Sequence, residues 1–130
     1  MKKSFELKMS FKVSAHELYK AWLDSGTHSE MTGGEAKCDS IIGGEFTAWD
    51  GYISGVNLTL VPNEEIVQSW RTTEFKASDQ DSQLTIKFNA LGDGTELVLI
   101  HKNIPEGNSD YKQGWIEHYF EPMADYFNEK

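Results

Sequence analysis

The side chains that could do chemistry in this 130-residue chain are four histidines, one cysteine and one arginine beside a tryptophan. His16, His28, His101 and His118 contain no pair at i,i+4 or zinc-finger spacing, and Cys38 has no partner cysteine. No metal site is expected from such a set. Cys38 falls in a predicted strand, where a lone cysteine is usually a buried, inert residue. The chain has no Gly-x-Ser-x-Gly elbow, and its glycine pairs at 33–34 and 43–44 do not open helices of a βαβ unit. Serine nucleophiles and phosphate-binding loops are therefore not expected, nor is a cofactor. His101 is the group with most range. It ends an alternating face, Thr95, Leu97, Leu99, His101, that a sheet would turn inward. It could hydrogen-bond a ligand, serve as a base, or be a structural histidine held by a neighbour. Arg71 follows Trp70, so the two side chains point to opposite faces. With Trp70 inward, Arg71 pairs with a nearby carboxylate; with the faces reversed, it could anchor a carboxylate ligand.

The aromatic inventory is large: four Trp, five Tyr and seven Phe. Trp22, Met31, Phe46, Trp49, Trp70, Leu97, Leu99, His101, Trp115, Tyr119 and Met123 are the candidates for lining an apolar cavity. The competing reading is that each packs a solid core. Gly55 and Gly114 contribute no side-chain volume and could leave room.

The elements that must position these residues are legible from pattern. Phe5, Leu7, Met9 and Phe11 alternate with polar residues, giving a half-buried strand over 4–13. Ser14 with Glu17 three residues later is a capping-box signature, so a helix starts at Ala15 and Gly26 ends it. Residues 27–32 give a second short helical turn before Gly33-Gly34. A short strand spans Ala36–Ser40. The run Gly43–Arg71 then reads as three antiparallel strands, with turns at Asp50-Gly51 and Pro62-Asn63. Asp-Gly is a strong hairpin signal, because a type I′ turn needs positive φ at both central residues. Residues 76–82 form an exposed polar loop. Leu84, Ile86, Phe88 and Ala90 alternate into the Gly92-Asp93-Gly94 turn, and the strand of Thr95 to His101 follows. Val98 and Ile100 on its other face suggest cover on both sides. Pro105 and Gly107 end the sheet. Residues 109–128 form a long helix with a broad apolar stripe, and Pro122 inside it predicts a kink or break near 118–122. Consecutive hairpins plus one wide-striped helix imply an α+β fold, a curved antiparallel sheet of six or seven strands wrapped around the C-terminal helix. No repeat or linker divides the chain, so one domain over 1–130 is expected.

Charge constrains the partners. The net charge is −9, which opposes binding to nucleic-acid phosphates and to anionic membrane surfaces. Residues 1–20 carry five Lys against two Glu, for +3, leaving −12 on the rest. That is a lysine-protected first strand, or a basic edge for an acidic partner. No stretch approaches the ~18 uninterrupted apolar residues of a membrane span. Met1-Lys2-Lys3 lacks a following apolar region, so a signal sequence is excluded. A single cysteine cannot form an internal disulfide, which fits a reducing, cytoplasmic compartment. A monomer or weak dimer is expected.

The ordered set of motifs resembles a known family. Ser14-Ala15-His16-Glu17-Leu18-Tyr19, Gly43-Gly44-Glu45-Phe46, Asp50-Gly51-Tyr52-Ile53-Ser54-Gly55 and Leu60-Val61-Pro62 carry the resemblance, followed by Ile66-Val67, Trp70-Arg71, Gly94-Thr95-Glu96-Leu97, Gly114-Trp115 and Tyr119-Phe120-Glu121. Together they resemble the START-like (SRPBCC, helix-grip) superfamily. Within it the chain is most similar to the C-terminal domain of activators of the Hsp90 ATPase and to single-domain bacterial relatives. The resemblance implies a curved sheet around a C-terminal helix, often with a cavity between them. It implies either a non-enzymatic module for a small hydrophobic ligand, or a co-chaperone module acting on an Hsp90-type chaperone. Some START-like proteins are enzymes, so a hydrolase, cyclase or dehydratase using His101 is a third expectation. A chain that begins at the first strand is also expected to lack the additional N-terminal chaperone-binding domain of the two-domain eukaryotic activators.

Overall fold

A computed structural model describes residues 3–105, 107 and 110–128. The first residue expected for the long helix, 109, and those at either terminus lie outside the described set. β1 (Lys3–Phe11) leads into α1 (Ala15–Leu23) and α2 (Ser25–Thr32). Six strands follow: β2 (Lys37–Cys38), β3 (Glu45–Ala48), β4 (Ile53–Val61), β5 (Glu65–Thr72), β6 (Ser82–Leu91) and β7 (Gly94–Ile104). The C-terminal helix comprises α3 (Tyr111–Trp115), a π-helical turn (Ile116–Phe120) and α4 (Glu121–Asn128).

The seven strands form one antiparallel sheet in the order β1-β7-β6-β5-β4-β3-β2. This is the α+β helix-grip architecture anticipated from the pattern. Alternation sets which residues face the helices. On β5, Ile66, Gln68, Trp70 and Thr72 are buried, and the first three pair across to Ile86, Leu84 and Ser82 on β6. The next register places Leu84 opposite His101, Ile86 opposite Leu99 and Phe88 opposite Leu97. The Asp50-Gly51 turn forms with φ of 58° and 90°, closed by Tyr52 N–H donating to the Trp49 carbonyl at 3.1 Å.

Local chemistry corrects several boundaries. Ser14 caps α1 by accepting from Glu17 N–H at 3.1 Å. The helix ends at Leu23 rather than at Gly26, because Asp24 leaves helical geometry (ψ 123°) and caps α2 through Thr27 N–H at 2.8 Å. That bond also holds the Asp24 carboxyl below its ordinary range. Gly33, in the left-handed region at φ 86°, stops α2. Strand β1 ends two residues before the expected limit, and β2 is only Lys37–Cys38. Near Pro122 the helix widens instead of breaking. Glu121 N–H donates to the Ile116 carbonyl five residues back. The turn thus falls just before the residue whose missing N–H cannot reach the His118 carbonyl.

Candidate functional site

A cavity of about 240 Å3 lies between the sheet and the N-terminal half of the C-terminal helix. Trp49 and Tyr52 enter from the β3–β4 connection, Ile53 from the start of β4, and Trp70 from β5. Tyr111, Gly114, Trp115, His118 and Tyr119 close it from the helix. The wall is almost wholly apolar, and the space is partly open to solvent rather than sealed.

The polarity of the wall follows from where its rings send their polar tips. Trp115 Nε1–H donates to His101 Nδ1 at 3.1 Å. That bond assigns the other proton: His101 Nε2–H donates to Ser82 Oγ at 2.8 Å, and Ser82 Oγ–H donates to the Trp70 carbonyl at 2.7 Å. His101 is fully buried, and burial pushes its pKa down to about 3, so it stays neutral. Tyr119 O–H donates to His28 Nε2 at 2.9 Å, while His28 Nδ1–H donates to the Trp22 carbonyl at 2.8 Å. Burial lowers the pKa of His28 and, more than the nearby Cys38, raises that of Tyr119. Tyr111 hydroxyl is bonded to Thr72 Oγ1 at 2.6 Å, and Tyr52 O–H donates to the Glu74 carboxylate. Four of the six large rings therefore hold their polar atoms behind or beside the wall.

Trp49 is positioned at a cost. Its φ of 51° is left-handed, a region that penalises a bulky side chain by about 1–2 kcal/mol. Its ring lies against Gly34, where a Cβ would collide with it, and meets His118 edge-on at 5.5 Å between centroids. Its Nε1–H is buried without an acceptor among the described residues. Gly114 is the complementary case: a Cβ there would meet nothing within 4 Å.

The sequence candidates divide by depth. Trp49, Trp70, Trp115 and Tyr119 line the cavity. Trp22 lies behind it, stacked on Tyr119 at 5.2 Å and on Trp115 at 6.1 Å. Met31, Phe46, Leu97, Leu99 and Met123 are buried in the core. His101 takes the structural role, because both ring nitrogens are engaged and it does not line the cavity. Arg71 points away from Trp70. It bonds Asp81 at 2.6 Å and the Lys76 carbonyl at 2.9 Å, which ties down the loop after β5. Gly55 leaves no room, since Phe46 and the Ser69 carbonyl occupy the place of its missing Cβ. Tyr52, Ile53, Tyr111 and His118 complete the lining, and the sequence pattern does not mark them as cavity residues because the fold alone brings them together with Trp70. Cys38 is half-buried, and burial pushes its thiol up to about 11, against nucleophilic use.

A model of the family "Activator of Hsp90 ATPase homolog 1-like protein" matches residues 12–128. The chain belongs to this family. The human activator of 90 kDa heat shock protein ATPase homolog 1 is 32% identical over 124 residues, covering 93% of this chain and 36% of the human protein. The chain spans about a third of the length of the curated relatives it matches. Among solved structures, an HSP90 activator from Plasmodium falciparum is 27% identical, with a TM-score of 0.83 and 91% of each chain covered. The Aha1 dimer from Colwellia psychrerythraea has a TM-score of 0.79 at 13% identity, with 96% of each chain covered, and shares the fold. In this Aha1-like fold the cavity occupies the space that the gripped helix leaves against the sheet. No helix among the described residues is long and apolar enough to cross a membrane.

Proposed function

We propose that the chain is a binding module that takes a small apolar ligand into the cavity between β5, the β3–β4 connection and the C-terminal helix. The carrying observation is the cavity wall itself: about 240 Å3 of space in which four of the six large surrounding rings direct their hydrogen-bonding atoms elsewhere. Pockets for small ligands are mostly apolar, with few polar groups. Burial of ligand surface at about 25 cal/mol per Å2 would drive binding. Native mass spectrometry of the purified protein, followed by ligand-observed NMR with small apolar compounds, tests the reading. Binding that is lost in Gly114→Leu supports it; no binding by any compound overturns it.

A second reading is favoured by family membership and by the names of the human and Plasmodium relatives. In this reading the chain acts on an Hsp90-type chaperone. A surface is available: Ile41 and Ile42 are 60% and 63% exposed, on a loop held by Asn57 Nδ2–H bonds to the Asp39 and Ile41 carbonyls. ATPase rates of such a chaperone at saturating protein, with Ile42→Asp as control, decide it. An unchanged rate rejects this reading.

A further inference from the structure

Resting on the ligand-binding reading above, we infer that the cavity selects a neutral, flat, fused two-ring aromatic molecule. Among the described residues, three indoles, three phenols and the His118 imidazole surround the space, against one aliphatic side chain, Ile53. Rigid rings give the wall flat faces, and an aromatic guest gains offset-stacked or edge-to-face contacts worth about 0.5–1.5 kcal/mol each beyond its buried area. The walls are already set at fixed angles. Trp70 and Trp115 lie 5.7 Å apart at 40°, and Trp115 and Tyr119 lie 4.6 Å apart at 49°. Hydrogen bonds behind the wall lock them: Trp115 to His101, Tyr119 to His28 and Tyr111 to Thr72. This part of the wall is therefore set before a guest arrives, which lowers the ordering cost of binding.

The same bonds set the guest's polarity. With those donors and acceptors engaged, the Trp49 Nε1–H and the His118 ring are the polar groups left among the lining residues, so a charged or multiply polar group inside would lose most of its hydration without replacement. Ring faces attract cations, but no Asp or Glu among the described residues lines the space to offset the desolvation. Size comes from volume. An apolar cavity of about 150 Å3 takes benzene, and the 240 Å3 here is larger by about the increment of a second fused ring. An alkyl chain ordered against the wall gives up rotamer freedom that a rigid fused-ring molecule does not have. Trp49, held at positive φ against Gly34, supplies one further flat wall.

The test uses the full chain and four probes: naphthalene, decalin, decanoate and tetramethylammonium. Decalin has the carbon count of naphthalene but is saturated and thicker. Tryptophan fluorescence and the indole N–H resonances report binding. Naphthalene is expected to bind at least tenfold more tightly than each of the others, and Gly114→Leu should abolish its binding. Decalin, decanoate or tetramethylammonium binding as well as naphthalene would overturn the aromatic selection while leaving a ligand-binding module standing. No shift with any probe would overturn both. The four-probe comparison needs only the wild-type chain, so it holds even where a variant folds poorly.

Discussion

Gly114 gives the sharpest test of the cavity, because one position reads both stability and space. It lies within the C-terminal helix, where glycine is less favourable than alanine by about 0.8–1.0 kcal/mol. Steric conflict usually offsets that gain at a packed glycine, but a Cβ at Gly114 would meet nothing within 4 Å. Gly114→Ala should therefore stabilise the protein by about 1 kcal/mol. For a chain of 130 residues this corresponds to a Tm rise of about 3–5 °C. Gly114→Leu keeps the helix-propensity gain and places an isobutyl group in the 240 Å3 space, so it should fold as well as wild type and lose ligand. Thermal unfolding followed by circular dichroism measures the first effect, and probe titration the second. A Gly114→Ala protein less stable than wild type would refute the open-space argument. So would a well-folded Gly114→Leu that binds apolar probes unchanged.

The buried histidines predict a pH dependence. Above the unfolded-state pKa of about 6.5, His101 is neutral in both states and its contribution is complete. As pH falls, the unfolded chain takes up a proton that the folded chain, with its pKa near 3, refuses. Stability is lost from pH 6.5 downward, by about 2 kcal/mol at pH 5 for this one residue, and the lowered pKa of His28 acts in the same direction. Urea unfolding at pH 7 and pH 5 should show this loss, and His101→Gln should reduce it; an equal loss in the variant would reject the assignment. Ser82→Ala strands His101 Nε2–H in the interior, so a loss of about 1–3 kcal/mol is expected in denaturant unfolding. Gly34→Ala must push the Trp49 ring aside and should weaken probe binding several-fold in fluorescence titration. Arg71→Met frees the Lys76 and Asp79 carbonyls and Asp81, and hydrogen exchange should rise over residues 73–81 with little change in the sheet.

The parts of the fold that could be read in the sequence are those governed by local rules. Alternation in Phe5–Phe11 and Leu84–Phe88 reports a one-sided face whatever the sheet's curvature. Asp50-Gly51 reports a turn because of its φ requirement, and Ser14 reports a cap. What local rules do not carry is the response of one element to another. Pro122 marks where the helix cannot continue regularly, but packing decides between a kink and a widened π-helical turn. Trp49 has no local preference for positive φ. It is held there by the Asp50 N–H bond to the Glu35 carbonyl at 3.0 Å and by the place Gly34 leaves for its ring.

The site shows the same division. Period-two pattern identifies Trp70 and His101 as inward residues without saying which meets the cavity and which lies beneath it. Depth depends on the curvature of β3–β4 and on where the helix leaves the sheet, so Leu97, Leu99 and Met123 read like Trp70 in sequence and pack elsewhere. His101 carries the general point. A histidine in an apolar setting is a base only while one nitrogen lone pair faces the reacting space. Here the Nδ1 lone pair accepts from Trp115 and the Nε2 proton is given to Ser82, leaving nothing turned toward the cavity. His28 is spent in the same manner on Tyr119 and Trp22. Both imidazoles act as struts that draw the polar tips of the wall rings out of the cavity. His101 and His28, which read as the chemical residues of the sequence, thus support the wall from behind, and the polar groups left among the lining residues are the His118 ring and the unpartnered Trp49 Nε1–H.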